Sequence, residues 1–141
     1  MSSRTTTRKA KEDLRRGKRP TTAAGEFVHE EIEHVRTGKH GARSTKQAIA
    51  IGLSKARRAG IPLKPPAKGQ AKESTRRSAQ RAYDAGQGKR KASAPSKRRS
   101  AATSRALRRE PHQTASRDSL SRQAKGAAAA RRRQHASPSA P

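Results

Sequence analysis

The stretch STKQAIAIGLSKARRAG, residues 44–60, stands apart from a chain otherwise rich in Arg, Lys, Ala and Ser. Ile49, Leu53 and Ala56 recur at i, i+4, i+7, with Ala48, Gly52 and Ala59 beside them, which is one apolar helical stripe. Ser44 and Gln47 have the spacing of an N-cap and its N3 partner, in which each side chain satisfies a backbone N–H at the helix start. Lys55, Arg57 and Arg58 load the closing turns, and Gly60 with Pro62 stops them. The spacing predicts a helix over residues 44–59.

Upstream, TTAAGEFVHEEIEHVRTG (21–38) places Val28, Ile32 and Val35 at i, i+4, i+7, next to Phe27. Glutamates crowd its early turns, Arg36 sits late and Gly38 follows, an order that suits the helix dipole. A helix over 24–37 is expected. The glycine-flanked turn GKHGARS joins the two, so they should pack antiparallel as a hairpin. Its core would be Phe27, Val28, Ile32, Val35, Ile49 and Leu53, with small residues on the second helix allowing close approach. So few large apolar groups leave the hairpin marginal alone, and dimerisation or a protein partner would stabilise it.

Composition sets the expectation for the rest. Of 141 residues, 28% are hydrophobic and 33% charged, the net charge is +26, and there is one Phe, one Tyr and no Trp. Low hydrophobicity with high net charge is the signature of a chain unable to offset its ordering entropy. The fold class expected is therefore mostly disordered, with a small all-α hairpin. Residues 1–22 read as a basic disordered tail, 23–63 as the hairpin, and 64–141 as a disordered Lys/Arg/Ala/Ser-rich arm. KPPAKGQAKE (64–73) reads as a stiff linker opening that arm. Three weakly helical stretches follow, each without an apolar stripe, so self-repulsion should hold them open until a polyanion neutralises them. SPSAP (137–141) reads as a flexible end.

Charge is unevenly spread. Residues 1–33 carry eight Lys/Arg against six Asp/Glu, a net of +2, whereas residues 34–141 carry 28 against four, a net of +24. Solubility of a small domain needs only ~2–8 charges, so a polyanionic partner is the economical reading. The candidate contact residues are Arg57, Arg58, Arg76, Arg77, Lys89, Arg90, Lys91, Lys97, Arg98, Arg99, Arg108, Arg109, Arg131, Arg132 and Arg133. Only Tyr83 offers a stacking surface in the arm, which disfavours single strands. Contact with duplex phosphates, without base readout, fits this composition better.

Motifs of other chemistries fail on spacing. HEEIEH (29–34) approaches the zinc-protease pattern, but histidines at i, i+5 diverge around a helix, where i, i+4 would align them. GKHGARST lacks the order of a phosphate-binding loop, and no strand precedes it. Without cysteine there is no disulfide or thiol chemistry. No segment reaches the ~18 apolar residues of a membrane span, and the N-terminus has no apolar signal region. A disordered scaffold cannot hold catalytic groups rigidly. The expectation is a cytoplasmic, nucleoid-located binding protein: no enzyme, no cofactor, no metal.

The string RSTKQAIAIGLSKARRAGI (43–61) resembles a family of small basic bacterial proteins of unassigned activity, labelled DNA-binding or plasmid-stabilisation. The likeness covers about a quarter of the chain and brings no catalytic or binding residues with it. In composition alone, the tail resembles bacterial histone-like proteins. Together these imply non-specific DNA binding by a nucleoid-associated protein. The alternative is an RNA- or ribosome-associated protein whose hairpin is a protein-interaction module.

Overall fold

A computed structural model of the chain describes residues 4–89 and 96–136. Its elements are α1 (Arg4–Arg15), α2 (Pro20–Arg36), α3 (Thr45–Arg58), α4 (Glu73–Gly86), α5 (Lys97–Arg109), a 3₁₀ turn (Gln113–Ala115) and α6 (Arg117–Ala136). The expectation of a mostly disordered chain is overturned: these elements form a compact all-α domain of six packed helices, 73% helical. α1 lies within the supposed N-terminal tail, and α4, α5 and α6 lie within the supposed arm, on the three stretches expected to be only weakly helical. The SPSAP end lies outside the described residues.

The two helices read from periodicity are present as α2 and α3. Ser44 caps α3, its Oγ accepting from the Gln47 amide at 3.1 Å. The Gln47 side chain reaches back one residue further than a capping box requires, accepting from the Arg43 amide at 2.6 Å. α2 starts earlier than expected because Pro20, with its fixed φ, is well placed in a first helical turn. It ends at Gly38, whose φ of +84° is readily reached only without a β-carbon.

What was missed is how little side-chain volume this core needs. One buried cluster gathers Ala10 of α1, Ala23, Ala24 and Phe27 of α2, Ala56 of α3 and Ile61 beyond it, with Leu14, Leu53 and Leu63 packed alongside. A second joins Val35, Ala42, Ala48 and Ala115, with Ile32 against it. Of the six residues expected to form the core, Phe27 and Val35 are fully buried, while Val28, Ile32, Ile49 and Leu53 are half-buried. Alanine contributes little burial per residue, but it lets helix axes approach closely, and dense contact then replaces bulk.

The hairpin is therefore covered by its own chain. α1 lies on α2, and α4 lies on α3 through Ala79 and Ala82. At the end of α4, Gly86 lets its backbone rest on the Arg57 carbonyl, and the Gln87 side-chain amide donates to the Gly60 carbonyl at 3.2 Å. Backbone groups dock the C-terminal part onto the α2–α3 turn. Gly41 N–H donates to the Leu107 carbonyl at 2.7 Å and Ala42 N–H to the Pro111 carbonyl at 3.0 Å. Thr45 Oγ1 donates to the Thr114 carbonyl at 2.6 Å, and Arg36 Nε to the Ala115 carbonyl at 2.9 Å. These contacts leave no signature in hydrophobic periodicity.

Candidate nucleic-acid interface

α5 is the most exposed of the helices. Ser96 caps it, accepting from the Arg99 amide at 3.1 Å, and Pro111 follows just beyond its end. Its thirteen residues, KRRSAATSRALRR, hold six cations and no acid, and none of them is buried. Leu107, half-buried, and the Gly41–Leu107 hydrogen bond hold its C-terminal end to the body. Arg98, Arg105 and Arg109 fall at i, i+7, i+11 and share one face. Packing does not account for this helix, and its charges repel one another.

A second cationic face runs along α1. Arg4, Arg8, Lys11 and Arg15 are exposed and line one shallow groove with Thr7. Their spacing of i, i+4, i+7, i+11 aligns them over ~16 Å of helix at 1.5 Å per residue. The opposite side buries Ala10 and Asp13, which fixes the stripe toward solvent. Acids near this helix are already engaged: Glu12 pairs with Arg16 at 2.8 Å and Asp13 with Lys18 at 3.1 Å. Hydrophobic periodicity does not reveal this stripe, because Arg and Lys carry its period. The same period in Arg and Lys was the available signal.

The residues named from sequence divide into distinct roles. Arg57 is buried, its guanidinium donating from Nε to the Leu63 carbonyl at 3.1 Å and from Nη2 to the Lys64 carbonyl at 3.3 Å. Burial pushes its pKa down from the ordinary arginine value. It clamps the chain after α3. Arg76 is half-buried, paired with Glu73 and donating from Nε to the Pro66 carbonyl at 3.2 Å. Arg58, Arg77, Lys89, Lys97, Arg98, Arg99, Arg108, Arg109, Arg131, Arg132 and Arg133 are exposed. Arg90 and Lys91 lie outside the described residues. Exposed Arg105 on α5, and Arg117, Arg122 and Lys125 on α6, extend the cationic surface beyond the clusters picked out by adjacency.

A different polar cluster sits where α2 meets the turn. Glu31, only 1% exposed, accepts from Lys55 Nζ of α3 at 2.6 Å through Oε2. His40 Nε2 stands 2.7 Å from Oε1, and His34 Nδ1 3.9 Å from Oε2. Of the HEEIEH histidines, His29 is exposed and His34 turns inward, so His34 meets His40 and not His29. Burial, above all, lowers the His34 pKa from its ordinary value; Glu31 opposes this, and Lys39 and Lys55 add to it.

Comparison of the chain with family models, curated proteins and solved structures gives no match. The family likeness of residues 43–61 therefore rests on that string alone. Among the described residues, no helix is long and apolar enough to cross a membrane.

Proposed function

We propose that the protein binds duplex DNA with little sequence preference, as a histone-like, nucleoid-associated protein of the bacterial cytoplasm. The observation that carries this reading is α5, a helix with six cations, no acid and no buried residue. Such a helix gains most from a polyanion laid against it. Each phosphate neutralised releases condensed counterions, which supplies affinity independent of sequence.

The dimensions agree with a duplex partner. Thirteen residues span ~20 Å of helix, and a major groove ~12 Å wide admits a helix exposed along most of its length. α1 and α6 add further exposed cations, and phosphate contacts of this kind position a protein without reading bases. A binding role also accounts for the scarcity of acids on these faces, since carboxylates there would repel the backbone. The function proposed is binding, without catalysis.

Competition between duplex DNA and structured RNA for the full chain, at matched salt, tests the proposal. Equal or tighter binding to the duplex is expected. A preference for RNA of tenfold or more would overturn it in favour of an RNA- or ribosome-associated protein.

A further inference from the structure

The carboxylate of Glu31 is the centre of a buried polar cluster. It is a buried charge on α2, and burial is costly unless each oxygen finds a partner. Oε2 has one in Lys55 Nζ. Oε1 accepts no hydrogen bond, although His40 Nε2 stands only 2.7 Å away. The other nitrogen of that ring is held by the backbone. His40 Nδ1 lies 2.8 Å from the Gly41 carbonyl oxygen, which has no proton to give, so Nδ1 carries the hydrogen. That leaves Nε2 as the ring's remaining ligand position, and it faces Oε1 across 2.7 Å. An anchored Nδ1–H with a free Nε2 is the arrangement that orients a ligating histidine.

His34 completes the group. It lies one turn beyond Glu31 on α2, its ring edge-on to that of His40 with centroids 6.1 Å apart. One donor atom from each of Glu31, His34 and His40 can be chosen so that all lie within 4.8 Å of one another. Donors ~2.0–2.2 Å from a tetrahedral Zn²⁺ sit ~3.4 Å apart, so side-chain movements of about an ångström would close the group around an ion.

We infer that Glu31, His34 and His40 bind one divalent metal ion of the Zn²⁺ class. Two imidazoles and one carboxylate are borderline donors that suit this ion, and they leave a fourth position for water. Lys55 holds Oε2 and leaves Oε1 for the metal. The ion ties the end of α2 to the α2–α3 turn. That turn is the one whose Gly41 and Ala42 amides hold the Leu107 and Pro111 carbonyls, so the metal braces the anchor of α5. The role is structural, and it stands whether or not the chain binds DNA.

The test is a Zn²⁺ titration of the full chain against a chromophoric chelator, with ¹H–¹⁵N spectra of its five histidine rings. The expected result is saturation at one ion per chain, with the His34 and His40 signals moving together and those of His29 and His135 unmoved. His34→Ala should weaken binding by at least about tenfold, whereas His29→Ala should leave it unchanged. Should His34→Ala lose helicity by circular dichroism, the ring spectra of the unsubstituted chain decide the matter alone. Absence of saturable binding, or movement of the exposed histidines only, would overturn the inference. So would a loss in His29→Ala equal to that in His34→Ala.

Discussion

Gly52 of α3 faces Val28 of α2 so closely that a β-carbon on the glycine would stand 2.7 Å from the Val28 α-carbon. The obstacle is backbone, which cannot swing aside as a side-chain tip can. This single approach sets the separation of the two central helices. It also explains how a chain with few large apolar residues still forms a close-packed seam.

Gly52→Ala is therefore expected to destabilise the domain by ~1–3 kcal/mol, the usual cost of overpacking a core. Gly25→Ala supplies the contrast. Gly25 is exposed within α2 with nothing within 4 Å of its notional β-carbon. There, alanine should stabilise by ~0.5–1 kcal/mol through reduced backbone entropy in the unfolded chain. Thermal melts of the two variants, measured side by side, check both signs.

Neighbouring arginines should separate stability from binding. Arg57→Ala removes two charge-assisted hydrogen bonds to the Leu63 and Lys64 carbonyls, at an expected cost of ~2–3 kcal/mol. Its folded form should keep the DNA affinity of the parent. Arg58→Ala, at an exposed position, should leave the melting temperature unchanged and lower affinity for all duplex sequences alike. Denaturant unfolding and fluorescence anisotropy measure the two properties on the same samples.

Docking of the C-terminal part is testable without DNA. The Gly41 and Ala42 amides bond to carbonyls more than sixty residues away, so they should exchange slowly in the free protein. Thr45→Val, which removes the hydroxyl bonded to the Thr114 carbonyl, should speed their exchange by about tenfold or more. The free protein should also give a predominantly helical circular dichroism spectrum. Rapid exchange at both amides would indicate that this part does not dock.

Periodicity in Ile, Leu and Val made α2 and α3 readable, together with the Ser44 cap and the Gly38 and Gly60 stops. It could not reveal α1, and although α4, α5 and α6 fall on the three stretches read as weakly helical, it could not show that they form without a polyanion. Their contacts run through Ala10, Ala79, Ala82 and Ala115, and through backbone amides that every residue possesses. Composition weighed these alanines as weak hydrophobes, when their value lies in permitting close approach. The cationic surface was legible as charge but not as geometry. Adjacent pairs such as Arg57–Arg58 point to different places on a helix, and in this pair one side chain is buried and the other exposed. The i, i+4, i+7, i+11 series of Arg4, Arg8, Lys11 and Arg15 was a better guide to a shared face. The meeting of Glu31 with His40 was beyond reach from sequence, because the turn and not the helix brings them together.

The central claim is that phosphates are neutralised by exposed helical cations, with α5 foremost. The most direct measurement is the salt dependence of duplex affinity for the parent and for Arg98→Gln/Arg105→Gln/Arg109→Gln, three changes on one face of a helix that buries no residue. Contact with 6–10 phosphates should lower the parent's affinity ~10³–10⁵-fold between 50 and 200 mM salt. The variant should keep its helicity and lose about 2–3 units of slope in log affinity against log salt, at ~0.9 per phosphate contact. A parent insensitive to salt, or a folded variant with the parent's slope and affinity, would contradict the claim.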